Sequence, residues 1–317
     1  MSPICENLIP LYDPRAENAV RSFTPSDERN TMYQRIFNSI LLCTTLCVAT
    51  LSLQAQSTDP AQWKVGASGN FNNATVEMLT EWKKAGIDCV EVSGQLFADT
   101  KMSKEEKIEW CKNLKAMADK AGLEIWSMHL PFSRKLDISL ADDTARQEMI
   151  DLCADTIRLA PYLGLKKFVI HPSSEPIKDE DRPARIARSR ESLTTLNKVA
   201  REQKVQLVVE CLPRTCLCNT AEEMLKLLDG LDTDIGICFD SNHLLKEKSE
   251  EFVAKVGGRI KSVHISDYDG IDERHWIPGD KRGIIDWVKV VQELAQAGYE
   301  GPFLFESAGT PSEKMEA

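Results

Sequence analysis

VQLVVEC at residues 205–211, DIGICFD at 234–240 and IKSVHIS at 260–266 decide the reading of the fold. Each is a short apolar run rich in β-branched residues, and Glu210, Asp240 and His264 stand at or near their ends. Runs of this length with apolar residues on both faces suit the strands of a parallel sheet, which helices cover on both sides. Working outward, WKVGAS (63–68), IDCVEVS (87–93), LEIWSMHL (123–130) and KKFVIH (166–171) precede them and PFLFES (302–307) follows, giving eight strands. Helical stretches are expected at 74–85, 104–121, 144–163, 182–203 and 286–297, and Gly86, Gly122, Gly164 and Gly298 supply the usual stop after four of the five. Eight βα-type repeats in about 255 residues predict an α/β chain folded as a (β/α)8 TIM barrel. No G-x-G-x-x-G follows the first strand, so a dinucleotide fold has no support. Only ten residues follow Ser307, so the eighth helix is expected to be absent or truncated.

Ahead of the barrel the chain changes character twice. Residues 1–31 are polar, contain Pro3, Pro10, Pro14 and Pro25, and show no helical or strand period, so they read as an unstructured leader. Arg35 then precedes an uncharged stretch over 36–58 with the apolar core ILLCTTLCVATLSL at 40–53. This is the pattern of a signal peptide over 32–55, with Met32 as the natural start and cleavage after Ala55, which implies an exported, periplasmic or extracellular protein. Asn38, Ser39 and repeated Thr interrupt the run, so stable membrane insertion is not expected. The part from 56 to 317 reads as one catalytic barrel domain.

The 317 residues carry 49 Asp and Glu against 39 Lys and Arg, a formal charge of −10. No basic surface of the kind that neutralises phosphate backbones follows from that balance, so nucleic acid is not an expected partner. Seven cysteines follow residue 56, an odd number without framework spacing, and Cys216-Leu-Cys218 is read as a pair of buried thiols ahead of a metal pair.

In a barrel of this kind the active site is built from strand C-termini and the loops after them. His129, His171, Glu210, Asp240, His264 and Glu306 all occupy such ends, with His243 and His275 just beyond. All five histidines of the chain therefore fall at one end of the expected barrel. Carboxylates that converge at a closed mouth repel one another and need a cation or a proton. Glu210, Asp240, His264 and Glu306 form a hard donor set suited to one divalent Mn, Co, Mg or Zn ion.

The motifs SMHLPF (127–132), VIHPS (169–173), VVE (208–210), CFDSNH (238–243), VHISD (263–267), HWIPGDKRGIIDW (275–287) and FLFES (303–307) together resemble the xylose-isomerase-like barrels. That superfamily includes sugar isomerases and epimerases and the type IV apurinic-site endonucleases. The resemblance implies a metal on Glu210, Asp240, His264 and Glu306, with His243 facing substrate. It also implies proton transfer beside a sugar carbonyl through an enediolate, with Glu210 and Glu306 as catalytic base and acid. The endonuclease branch implies up to three Zn ions, for which His129, His171, His243, Glu273 and His275 complete the ligands, with Glu273-Arg274-His275 standing where that branch has D-R-H.

Export and acidic charge favour a metal-dependent isomerase or epimerase of a free sugar, keto-sugar or derivative. In that reading His129, His171, His243, Glu273 and His275 bind substrate or an additional metal. Arg214 and Lys281 are weaker candidates for an anionic group and read first as ordinary surface or ion-pairing residues, and Trp276 and Trp126 are candidates for sugar stacking, Trp126 equally for the core. The alternatives are a multinuclear zinc hydrolase or lyase acting on a phosphoester or oxidised glycoside, and a non-catalytic sugar-binding barrel. A homo-oligomer covering the seam of the missing helix is a further expectation.

Overall fold

The computed structural model describes residues 58–316. The leader and signal segment expected over 1–55 lie outside these residues. Eight parallel strands form one sheet: β1 Val65–Gly69, β2 Cys89–Ser93, β3 Glu124–His129, β4 Lys167–Ile170, β5 Gln206–Glu210, β6 Gly236–Asp240, β7 Ile260–His264 and β8 Phe303–Phe305. Each strand pairs with its sequence neighbour and β1 pairs with β8, giving the order β7-β6-β5-β4-β3-β2-β1-β8. Closure falls between β7 and β8, where Ile265 N donates to Leu304 O at 2.8 Å and Glu306 N donates to Ile265 O at 3.0 Å. The TIM barrel expected from the strand count is the fold, and its last seam runs between His264 and Glu306.

Helices α1 Val76–Ala85 and α2 Lys104–Ala121 stop where their glycines stand, with Gly86 and Gly122 in the left-handed conformation. Ser103 and Glu106 close a capping box at the start of α2. The single helix expected over 144–163 is two, α3 Asp143–Ile157 and α4 Ala160–Leu163. Pro161 is the cause: it has no N–H for the helical ladder, and its ring clashes with the carbonyl four residues back. The helix α5 Arg182–Glu202 matches its expected span. Two helices went unread in the sequence, α6 Ala221–Leu228 and α7 Ser249–Val256. Each is eight residues long, about two turns, too short for a 3.6 period to separate from a loop. After α8 Trp287–Gln296 and β8, the eighth helix is a stub, α9 Pro311–Glu316. It packs against α1, and its buried Lys314 donates to Ser307 Oγ at 3.0 Å and Ala308 O at 2.9 Å, fastening the loop just after Glu306.

The main core lies between strands and helices, while Val169, Val208 and Cys238 form a small separate cluster. Side chains two apart on a strand share a face. His171, Glu210 and Asp240 therefore stand one layer above this plug, at the C-terminal mouth, which is how a two-residue period turns three apolar strands into the floor of a site. No helix among the described residues is long and apolar enough to cross a membrane.

Candidate metal and sugar site

Glu210, buried at the end of β5, is the hub. Its Oε2 lies 2.9 Å from His129 Nε2 and 3.1 Å from His171 Nε2, and its Oε1 lies 3.4 Å from both His243 Nδ1 and His264 Nδ1. Burial works against this charge, yet the imidazoles of His171, His264 and His129 outweigh it and hold the carboxyl well below the usual range. Glu306 reaches the same centre from the far side of the seam, with Oε2 2.7 Å from His264 Nδ1. There too burial is outweighed by His264, which brings the carboxyl down to about 2.

Asp240 completes the cluster and behaves differently. Burial, reinforced by the charges of Glu306 and Glu210 and opposed by His243 and His264, pushes its carboxyl up to about 7. Its Oδ2 is buried without a hydrogen-bond partner. An orphaned carboxylate oxygen buried among other acids calls for a counter-charge, and a divalent cation fits that donor set. The ligand atoms of Glu210, Asp240, His264 and Glu306 all lie within 4.8 Å of one another.

Two further groups bring their ligand atoms equally close: His129 with His171 and Glu210, and His243 with Glu273 and His275. Three of these imidazoles are anchored alike. Nδ1 of His129 donates to Leu130 O at 2.9 Å, that of His243 to Cys211 O at 2.9 Å, and that of His275 to Glu306 O at 3.0 Å. A ring nitrogen donating to a carbonyl must carry the proton, so in each of these rings Nε2 is the nitrogen left to engage a carboxylate or a ligand, as it does with Glu210 in His129 and with Glu273 in His243. His275 holds its place with φ of +48°, one of four non-glycine residues in the left-handed region among the described residues. His243 Nε2 faces Glu273 Oε1 at 3.2 Å, and although burial disfavours the imidazolium, Asp240, Glu273 and Glu210 raise it to about 10.

Above the floor opens a cleft of about 310 Å³, lined by His129, His171, Glu210, His243, Glu273, His275 and Glu306 among others. A larger groove of about 800 Å³ lies between the β6 and β7 loops and contains none of these ligand atoms. The weaker sequence candidates fare differently. Arg214 does line the cleft, but its guanidinium is spent on Glu175 at 3.0 Å, Asp272 at 2.8 Å and Glu273 at 3.0 Å. It ties the β4, β5 and β7 loops together and is not free to take an anion. The Trp276 ring is covered by the Arg282 guanidinium 4.0 Å away, Lys281 is exposed, and neither lines the cleft. Trp126 packs against the core, with Lys167 over its ring at 5.0 Å. Cys216 and Cys218 are free buried thiols, as read, and join none of the three ligand groups.

Sequence reasoning passed over two residues here. Phe132, 44% exposed, lays its ring 4.0 Å from that of His171 and 4.8 Å from that of His129, an apolar platform beside the polar floor. Its signal was the last letter of SMHLPF. Glu91 is an acid between two valines in the middle of buried β2, and that break in the apolar pattern was the available clue.

The model of the xylose isomerase-like TIM barrel family matches residues 79–317. Among curated proteins, the putative L-ribulose-5-phosphate 3-epimerase SgbU of Escherichia coli K12 is 25% identical over 243 residues, covering 73% of this chain and 82% of that protein. The crystal structure of a D-tagatose 3-epimerase-like protein superposes with a TM-score of 0.68 at 23% identity, over 80% of this chain and 94% of the other. That of a D-psicose 3-epimerase in the presence of D-fructose gives 0.65 at 17% identity, over 80% and 89%. At these identities the solved structures establish the fold, and with the family match over three quarters of its length the chain belongs to the xylose isomerase-like TIM barrels.

Proposed function

We propose that this protein is a metal-dependent sugar epimerase or isomerase that moves a proton at a carbon beside a carbonyl, acting on a free sugar, keto-sugar or derivative. The observation that carries the reading is the unpartnered Asp240 Oδ2 among Glu210, His264 and Glu306, at the floor of a cleft of monosaccharide scale. The relative SgbU, named as a putative L-ribulose-5-phosphate 3-epimerase, supports the same chemistry. Glu210, Asp240, His264 and Glu306 would hold one divalent cation. When bound, such an ion polarises a carbonyl and lowers the cost of removing the neighbouring proton.

The protein's own groups do the rest. Glu306, with 29% of its side chain open against 2% for Glu210, reaches the cleft, and the two carboxylates act as base and acid on the substrate carbon. His129 and His171, whose Nε2 atoms flank Glu210 Oε2, line the cleft where sugar hydroxyls would lie, and Phe132 packs on an apolar sugar face. The decisive experiment is incubation of aldoses, ketoses and keto-glycosides with the protein and Mn²⁺ in D₂O. Deuterium entering a single carbon in a metal-dependent way is the expected result. No exchange on any sugar, together with retained sugar affinity in Glu306→Gln, would leave only a binding barrel.

A second reading is favoured by the rings of His129, His243 and His275, each anchored through Nδ1 so that Nε2 is left to engage further ligands. They suit a multinuclear hydrolase or lyase with up to three Zn ions. Metal analysis of the purified protein separates the two: three tightly held zincs per chain would displace the single-metal reading.

A further inference from the structure

We propose that Glu91 is a positioning residue for His264, setting which ring nitrogen faces the cation site; the inference rests on the reading of Glu210, Asp240, His264 and Glu306 as that site. Both residues lie inside the barrel on opposite walls, β2 and β7, at 1% and 0% exposure. The two nitrogens of His264 face different company. Nδ1 looks up at Glu306 Oε2 at 2.7 Å, Glu210 Oε1 at 3.4 Å and Asp240 Oδ2 at 3.8 Å. Nε2, on the other edge, stands 2.8 Å from Glu91 Oε1 without the alignment of a hydrogen bond, and has no other partner in line. The Cys238 thiol is the second group beside the ring.

For Nδ1 to give its lone pair to a cation, the ring proton must sit on Nε2, and a buried N–H needs an acceptor. Glu91 is placed to be that acceptor after a small turn of the ring. The carboxylate is itself held, because Ser127 Oγ donates to its Oε2 at 2.6 Å. A carboxylate buried in a central strand is costly unless something is gained from it. None of the three members of this Ser127–Glu91–His264 chain is exposed, and neither Ser127 nor Glu91 lines the cleft, so Glu91 acts through the imidazole and not on substrate.

The test uses the full chain stripped of metal and titrated with Mn²⁺, free ion being followed by its paramagnetic resonance signal. Glu91→Gln is expected to weaken Mn²⁺ binding by about 10- to 100-fold, the usual cost of losing a carboxylate partner behind a ligand histidine. Ser127→Ala should move affinity the same way by less, and Cys238→Ala should leave it within about twofold. Unfolding of the metal-free forms is measured alongside. A Glu91→Gln protein that loses thermal stability but binds Mn²⁺ like the wild type would show a merely structural role and overturn the proposal. If Glu91→Gln does not fold, unchanged affinity in Ser127→Ala overturns it instead. A wild type that binds neither Mn²⁺ nor Zn²⁺ removes the site itself, and the proposal with it, whereas a wild type that binds and a variant that binds equally removes Glu91 alone.

Discussion

Replacing Gly283 with alanine asks whether the β7 loop is a separable part of the site. A Cβ there would meet Asp267 Cγ and Oδ2 at 2.3 Å and Oδ1 at 2.5 Å, against ordinary contact of 3.4–4 Å. Either the loop or the carboxylate must move by about 1 Å, and neither moves freely in close-packed surroundings. The Asp267 carboxylate accepts from Tyr268 N at 2.9 Å, Ile284 N at 3.1 Å and Trp287 Nε1 at 2.9 Å, while its backbone pairs with Trp276. Overpacking costs about 1–3 kcal/mol, and weakening even one hydrogen bond to a charged acceptor adds about 1.5–3 kcal/mol. The expected loss is about 4 kcal/mol, which in a domain of this size lowers the melting temperature by roughly 8–16 °C. The same loop carries Glu273 and His275, whereas Glu210, Asp240, His264 and Glu306 stand at strand ends outside it. Calorimetry of Gly283→Ala should therefore show the lower melting temperature, while Mn²⁺ affinity stays near wild type and deuterium exchange falls by no more than about 100-fold, the cost of about 1 Å of displacement beside an intact centre. An unchanged melting temperature would refute the packing argument. A folded variant with exchange abolished would refute the separation of the two ligand groups and shift support to the multinuclear reading.

Three other outcomes follow from the same geometry. Glu306→Gln keeps shape and removes one of the two proton carriers, so exchange measured with enough Mn²⁺ to load the variant should fall by about 10²- to 10⁴-fold; exchange within a few-fold of wild type would release Glu306 from the reaction. Chelation should lower the melting temperature of the metal-loaded protein, since a cation at about 100 times its dissociation constant contributes about 2.7 kcal/mol, and Asp240→Asn should abolish that difference. The thiols at Cys89, Cys111 and Cys216 are each pushed up to about 12, burial being the largest cause. A thiol with a raised value stays protonated as pH climbs from 7 to 9, so these cysteines should resist alkylation over that range and react only after unfolding, as peptide mapping would show; labelling that grows with pH in the native protein would contradict their burial.

The sequence by itself determined the barrel and where its chemistry gathers. Seven of the eight strands fall within their expected spans and β1 runs one residue past its own, to Gly69, because each is a short apolar run bounded by turn or helix signals, as parallel strands buried on both faces are. The period of two also dictated that Glu210 and Asp240 share a face with Val208 and Cys238, so the ligand layer was legible before any contact was known. What it could not fix was partnership across the barrel. Glu91 and His264 are 173 positions apart, and no local pattern says that β2 and β7 face each other at the same height. An ion-pairing role for Arg214 was legible, but its partners Glu175, Asp272 and Glu273 were not, because they reach it only when three loops converge. Trp276 read as an open sugar platform because the guanidinium that covers it sits six residues on, in a loop whose return is set by Asp267 and Gly283. A strand's periodicity fixes which way a side chain points; only closure of the sheet decides what it meets, and that is where charge is balanced or left for a cation.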